Sequence, residues 1–362
     1  MDALFVLAGL LVLIAGGEAL VRGASTLASK AGISNLVIGL VVVSAATSAP
    51  ELAVTVGAVI GGEPGLAVGN VVGSNIANVL LILGLSAIFL PLAIQRQVVR
   101  FDMPVMLALS IALLIFSLDG SLSPLEGVLV FAGLAFHTVA SIRMGRKEVS
   151  DKVLPPVEPA LKTKPVKLWV AIVLLAIGIG ALALGAQLLV SGAVGIATSL
   201  GISGLVVGLT VVAIGTSLPE LATSIIAIRR GERDMAVGNI VGSNIFNIGM
   251  VLGLPALLFG EGIPIPPAAI AVDLPLMLAT SVALVPIAFT GFTIARWEGV
   301  LFVSLYSAYL TYVVLDSTGH DAATGFNALM LWFVMPLVAA TVIAFTAHEV
   351  RLIRKRRGRA AD

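Results

Sequence analysis

Glu51 and Glu220 each follow a proline inside a long apolar stretch, in the segments Thr47-Ser48-Ala49-Pro50-Glu51 and Thr216-Ser217-Leu218-Pro219-Glu220. No Lys or Arg stands within one helical turn of either carboxylate. A charged side chain at the centre of a bilayer costs roughly 2.5–3.5 kcal/mol on insertion scales, so such residues pair, face a cavity or hold an ion. Proline removes a backbone donor and releases a carbonyl in the preceding turn, and free carbonyls at membrane depth are tolerated where they line a cavity. Both stretches therefore offer hydroxyl and backbone oxygens beside a carboxylate. Hard cations take oxygen ligands, about six to eight for Ca²⁺. The hydroxyls alone read as Ser and Thr bonding back to their own helix; the duplicated TSxPE set reads as two halves of a cation site.

A second element recurs with the first. Gly69-Asn70-Val71-Val72-Gly73-Ser74-Asn75-Ile76-Ala77-Asn78 is matched by GNIVGSNIFN at residues 238–247. Ser74 and Asn78 are four apart and share a helix face, as do Ser243 and Asn247. Asn78 and Asn247 are candidate ligands, with interhelical hydrogen bonding as the competing role. Asn70, Asn75, Asn239 and Asn244 read as amides that join helices, each contact contributing about 0.6 kcal/mol. The glycines admit a close neighbour, expected to be the helix that carries Pro and Glu.

These residues need helices long enough to bury them. Of 362 residues, 59% are apolar and 11% charged, with mean hydropathy +1.11. Soluble domains carry roughly 25% charged residues, so a soluble enzyme, a nucleic-acid binder and a disordered chain are all excluded. Cysteine is absent, which removes disulfides and thiolate metal sites. A span needs about 20 apolar residues. Eleven stretches qualify, near 3–27, 34–60, 66–91, 101–118, 124–142, 168–194, 203–228, 235–259, 269–290, 297–315 and 325–350. The first lacks a basic leader and a small-residue cleavage site and is expected to be a span rather than a removed signal. Cations mark cytoplasmic loops. With the N-terminus outside, twenty of the 21 fall in inside segments, and Arg22 lies near the inner end of the first span. The outside loops hold acids only, among them Glu63, Asp119 and Glu261.

Residues 39–84 and 208–253 align without a gap at an offset of 169, with 25 of 46 positions identical. Shared composition does not bring TS, PEL, AVGN and GSNI into register, so this is a duplication. Five spans separate equivalent points, and an odd number inverts the second copy. The loops agree: Gly61-Gly62-Glu63-Pro64 has no cation, whereas the equivalent Arg230-Gly231-Glu232-Arg233 is basic. Inverted repeats characterise secondary transporters, which bind their cargo near the midplane at the repeat interface. The expected division is a first five-helix repeat over 1–142, a cytoplasmic linker over 143–167, a second, inverted repeat over 168–315, and an extra helix with a basic tail over 316–362. The fold class is all-α and polytopic.

The remaining charged and histidine residues are given other roles. Glu18 is one turn before Arg22, a spacing suited to an ion pair, and its repeat equivalent is the neutral Gln187. Glu349 adjoins the basic tail. His137, His320 and His348 are scattered, form no HExxH pair and are expected at interfaces. No Gly-rich phosphate loop with Lys is present, so ATP is not expected as the energy source, and the chain is not expected to be an enzyme.

TSxPEL followed by GNxxGSNIxN, in two inverted copies, resembles the signature repeats of the calcium/cation antiporter superfamily, most closely its prokaryotic sodium/calcium exchanger branch. The resemblance implies a central site in which Glu51 and Glu220 hold Ca²⁺, or Na⁺ in exchange, by alternating access. It implies that Ser48, Ser217, Asn78 and Asn247 are side-chain neighbours of the ion. Thr47 and Thr216 would offer backbone oxygen, and Ser74 and Ser243 would line flanking Na⁺ positions. Ca²⁺ and Na⁺ are then cargo, no cofactor is expected, and the setting is the plasma (inner) membrane with the C-terminus cytoplasmic. There are departures. Ala46 and Ala49 stand where the second copy has Gly215 and Leu218, and some relatives carry Asp at the position of Asn247. A proton/calcium exchanger is the nearest alternative, although neither GN motif carries the extra acid such exchangers tend to have. A cation channel is the rival from another class.

Overall fold

Apolar runs of this length become helices because lipid supplies no partner for backbone N–H and C=O groups. The computed structural model describes residues 1–151, 167–201, 211, 213–289 and 291–318. In chain order the helices are α1 (Asp2–Ala31), α2 (Asn35–Thr47), α3 (Ala49–Ile60), α4 (Pro64–Phe89), α5 (Val98–Asp119), α6 (Pro124–Asp151), α7 (Leu168–Ser199), α8 (Leu218–Arg229), α9 (Arg233–Leu258), α10 (Ala269–Ala288) and α11 (Arg296–Ser317). Among the described residues eight helices are long and apolar enough to cross a membrane. The bent pair α2–α3 makes a ninth span. The span expected over 203–228 is represented by a turn at Ala213–Gly215 and by α8. The extra span expected over 325–350, the basic tail and most of the 143–167 linker lie outside the described residues.

Two helices form the centre. Apolar stretches of α4 and α9 are 78% and 83% buried, against 22–39% for α1, α5, α6, α7, α10 and α11. The outer helices turn large apolar side chains outward, such as Leu7, Leu11, Ile172 and Ile177, as a lipid-facing surface requires. α1 and α7 lie along each other at glycines spaced by seven, Gly9, Gly16 and Gly23 on one and Gly178, Gly185 and Gly192 on the other. A β-carbon at Gly16 would stand 2.8 Å from the backbone N of Leu182. Small residues let backbones approach, which is how helices associate where lipid removes the hydrophobic drive.

Four two-residue strands tie the repeats together: β1 (Leu92–Ala93), β2 (Ser121–Leu122), β3 (Ile263–Pro264) and β4 (Thr293–Ile294). β1 pairs antiparallel with β4, Leu92 opposite Ile294, and β2 pairs antiparallel with β3, Leu122 opposite Ile263. Each ribbon joins one strand from each copy.

Two expectations about charged side chains are corrected. Glu18 pairs with Arg230 rather than with Arg22, tying α1 to the end of α8. The carboxylate found a partner from a loop far along the chain, which spacing within one helix does not reveal. His137 is not interfacial: it is fully buried in α6, with Nε2 2.8 Å from Asp102 Oδ1 on α5. The Ser141 hydroxyl donates to the same oxygen at 3.2 Å, and the Phe101 ring stacks on the imidazole at 5.7 Å. A buried carboxylate keeps its place only with such partners, since an orphaned polar group costs about 1–3 kcal/mol. His137→Leu should therefore lower the melting temperature of the detergent-purified protein. Asp102→Asn, which keeps an accepting oxygen, should lower it less.

Candidate functional site

The two glutamates sit at matching helix breaks. Ser48 separates α2 from α3, which are bent by 41°, and has φ −82° and ψ 2°. Ser217 precedes α8 with φ −90° and ψ 5°. Pro50 and Pro219 occupy the first turns that follow, where a missing N–H has no cost. Glu51 and Glu220 are thus first-turn residues, and the unpaired amides and dipole of a helix N-terminus favour negative charge there. Both carboxylates are fully buried, and they lie within Coulombic range of each other.

α4 and α9 change pitch at their own site residues. A π-helical turn runs from Asn78 to Leu83 and another from Asn247 to Leu252. Such turns carry one residue more per turn and concentrate at functional sites. The packing crosses between repeats: α3 lies against the Asn247–Leu252 turn and α8 against the Asn78–Leu83 turn.

All ten predicted site residues fall in this region. Ser48, Glu51, Thr47, Ser74, Asn78, Ser217, Glu220, Ser243 and Asn247 are buried, and Thr216 is half-buried. Nine buried side-chain polar atoms among the described residues have no hydrogen-bond partner. Seven of them belong here: both oxygens of Glu51, both of Glu220, Ser48 Oγ, Asn78 Oδ1 and Asn247 Oδ1. Buried polar atoms are nearly always paired in native proteins, so a cluster of seven orphaned oxygens is suited to a hard cation. Among the described residues no group of three or more His, Asp or Glu converges. Two carboxylates with neutral amide and hydroxyl oxygens make up the donor set.

Part of the hydrogen bonding around these oxygens repeats with the symmetry of the chain. Asn70 Nδ2 donates to Thr55 Oγ1 at 3.0 Å and to the Glu51 carbonyl at 3.1 Å, while Asn239 Nδ2 donates to Ser224 Oγ at 3.2 Å. The Ser74 and Ser217 hydroxyls are 3.2 Å apart, and those of Thr47 and Ser243 are 3.5 Å apart. Thr47 Oγ1, which lies beside Glu220, also donates to Asn239 Oδ1 at 3.2 Å. Asn78 Nδ2 donates to Asn244 Oδ1 and Asn247 Nδ2 to Asn75 Oδ1, both at 3.0 Å. The four amides expected to join helices do so, and two of them hold the candidate ligands.

Close packing makes these contacts possible. Gly238 and Gly242 of α9 face α2 at Leu36 and Leu40. The neighbour is the half-helix before the proline, in the other repeat, and not the Pro–Glu helix that was expected. Beyond the spans, the half-buried Glu232 accepts from Asn35 Nδ2 at 2.5 Å. Burial pushes its carboxyl above the ordinary range, while the Asn35 amide acts the other way.

Sequence comparison missed part of this environment. Asp102, Pro104, Met106, Leu107, Ala108 and Ser110 recur as Asp273, Pro275, Met277, Leu278, Ala279 and Ser281. The offset is 171, two residues out of step with the ungapped alignment, so the match escapes a comparison held at 169. A two-residue slip in the alignment would have found Met106 and Met277, which contact Asn244 and Asn75.

The comparisons with known proteins agree with this architecture. A family model described as "Sodium/calcium exchanger protein" matches residues 1–143 and 170–315. The chain belongs to the sodium/calcium exchanger family. It is 41% identical over 281 residues to a protein named as an antiporter, CaxA of Alkalimonas amylolytica, covering 78% of this chain and 88% of that one. It is 41% identical over 278 residues to the inner membrane protein YrbG of Escherichia coli K12, covering 76% and 84%. With the sodium/calcium exchanger MaX1 of Methanosarcina acetivorans it shares 33% over 340 residues, covering 85% and 97%. The solved structure of the sodium-calcium exchanger NCX_Mj, soaked with 2.5 mM Na⁺ and 0.1 mM Ca²⁺, superposes with a TM-score of 0.72 at 32% identity, covering 86% of this chain and 97% of that one. The family consists of transporters, and this member is an all-α, multi-pass membrane protein.

The glycine contacts define a test of how the site is assembled. A β-carbon at Gly242 would stand 2.8 Å from Leu40 Cα, with the Leu40 carbonyl and the Ser44 hydroxyl closer still. Gly242→Val should therefore part α2 from α9 and abolish both transport and a monodisperse size-exclusion peak. Gly57→Ala, at a position with open space around it, should retain both.

Proposed function

We propose that the protein exchanges Na⁺ for Ca²⁺ by alternating access at a midplane site centred on Glu51 and Glu220. The observation that carries this is the pair of fully buried, symmetry-related carboxylates whose four oxygens have no hydrogen-bond partner among the described residues. Two bare carboxylates in a low-dielectric interior repel each other and resist crossing the hydrocarbon. One Ca²⁺ neutralises them, and so do two or more Na⁺. Both cations use the same oxygens and therefore compete, and competition at one site is sufficient for exchange. Ser48, Ser217, Asn78 and Asn247 complete the oxygen set. Thr47 and Thr216 contribute from the helix breaks, and Ser74 and Ser243 serve flanking Na⁺ positions.

Coupling to Na⁺ rather than H⁺ is supported by the absence of an additional acid in GNVVGSN and GNIVGSN. MaX1 and NCX_Mj carry sodium and calcium in their names. A gated channel would not need a site that one bound cargo neutralises before the protein rearranges. We assign the chain to the inner membrane, as YrbG is named, with the N-terminus outside and residues 143–167 as a cytoplasmic linker between repeats 1–142 and 168–315. Residues 316–362 would add one span and a cytoplasmic tail. Cation placement supports that orientation.

In vesicles reconstituted with the purified protein, an outward Na⁺ gradient should drive ⁴⁵Ca²⁺ uptake, and a pH gradient without Na⁺ should not. Glu220→Gln and Glu51→Gln should each reduce that flux at least about a hundredfold, as expected where loss of one charge leaves the other uncompensated. Wild-type flux in Glu220→Gln would sink the central-site assignment. The orientation has its own test, aided by a chain with no cysteine. In right-side-out membranes, a membrane-impermeant maleimide should label Glu63→Cys from outside and Arg233→Cys only after permeabilisation.

A further inference from the structure

Asn78 and Asn247 can bind a cation only through Oδ1, yet an amide rotated by half a turn would present NH₂ instead. Something has to fix the direction. Asn78 Nδ2 donates to Asn244 Oδ1 at 3.0 Å, and Asn247 Nδ2 donates to Asn75 Oδ1 at 3.0 Å and to Ser74 Oγ at 3.1 Å. Reversing either ligand amide would set oxygen against oxygen. The direction of Asn75 and Asn244 is fixed in turn. Asn244 Nδ2 faces Met106 Sδ at 3.5 Å, and Asn75 Nδ2 lies 3.4 Å from both Met277 Sδ and the Asn244 carbonyl. A thioether accepts and does not donate, so neither amide can reverse without placing its oxygen against sulfur.

We infer that Asn75 and Asn244 are positioning residues that hold the Asn78 and Asn247 oxygens toward the transported cation. Two chains result, Met277–Asn75–Asn247 and Met106–Asn244–Asn78, each carried across the boundary between repeats. Met106 and Met277 stand at the same place in α5 and α10, eight residues after the helix starts. The amide dipoles of each chain run head to tail, with the negative end at the site. Because Asn75 Oδ1 demands a donor, the chain also selects an amide over a carboxylate at residue 247 and keeps the site at two negative charges. An amide that merely joins helices has no preferred direction; these have one, and the oxygen they leave free is the orphaned atom at each ligand.

This inference rests on the reading of Asn78 and Asn247 as ligands of the site that contains Glu51 and Glu220. The test uses the full chain in reconstituted vesicles, with ⁴⁵Ca²⁺ as the probe. Asn75→Leu and Asn244→Leu remove the acceptor, and each should raise the Ca²⁺ KM at least about tenfold, the usual range when a group that orients a metal ligand is lost, with Vmax changed less than about twofold. Asn75→Asp and Asn244→Asp keep the oxygen that accepts from the ligand amide but lose the donor to the methionine sulfur, and each should raise KM less than the matching Leu variant does. If a Leu variant fails to give a monodisperse protein, Asn75→Ser, too short to reach Asn247, takes its place with the same expected rise. Unchanged KM in the Leu or Ser variants overturns the inference, as does an equal rise in the Asp variants. Glu220→Gln is run beside them. Loss of flux there with wild-type KM in the Leu variants removes the orientation role alone; retained flux in Glu220→Gln removes the site itself.

Discussion

Two buried carboxylates within Coulombic range of each other, with no countercharge among the described residues, form the constraint on which the rest of this structure depends. Each would be costly alone, and together they repel. The fold does not relieve that cost with a cation, as it does for Glu18 through Arg230, or with hydrogen bonds, as it does for Asp102 through His137 and Ser141. Among the described residues it leaves the oxygens of Glu51 and Glu220 without a hydrogen-bond partner, while the amide NH₂ groups of the neighbouring asparagines are paired. Asn70 covers the Glu51 carbonyl, and Asn239 takes the Ser224 hydroxyl. The difference separates structural carboxylates from the pair proposed to hold the cargo.

The helix breaks follow from the same constraint. An unbroken helix consumes its own backbone groups, and a carboxylate in mid-helix meets no field that favours it. Interrupting the span at Ser48 and Ser217 gives each glutamate the first turn of a helix, where amides and dipole face the charge. Proline is tolerated there and enforces the break. The cost of exposed backbone at membrane depth is contained because α4 and α9, the most buried helices, close over the breaks. Gly238 and Gly242 let α9 approach α2 closely enough for Thr47 to reach Asn239.

Much of this could be read from the chain before any coordinates. The duplicated TSxPE and GNxxGSNIxN segments pointed to all ten candidate site residues, because carboxylates, prolines and amides in apolar runs are rare enough to be conspicuous. For most of the described spans the helix boundaries were legible to within a few residues, since bilayer thickness sets their length, whereas α6 continues past its expected end at residue 142 to Asp151. What stayed hidden depended on geometry between distant segments. Glu18 and Arg230 are 212 residues apart. The burial of His137 depends on which face of α6 meets α5. The π-helical turns that begin at Asn78 and Asn247 have no strong residue signature. The methionines behind Asn75 and Asn244 were masked by a two-residue slip between the copies.

The symmetry is most complete where the chemistry is and weakens outward. At the centre, Ser48 matches Ser217, Glu51 matches Glu220, and each amide chain has its counterpart in the other repeat. An inverted duplication that was identical throughout would make the two opposite-facing conformations mirror images in energy, so that neither is preferred without an external gradient. Bias between them has to come from positions where the copies differ. Among the described residues the Glu18–Arg230 pair is such a place, because the equivalent positions hold Gln187 and Gly61, which cannot form an ion pair. A half-exposed pair is worth at most about 1 kcal/mol, small for stability but near a fivefold shift in a two-state equilibrium. In the exchange cycle proposed above, differences at the periphery can therefore tune the balance between conformations, while a symmetric centre would offer the cargo the same oxygens from either side.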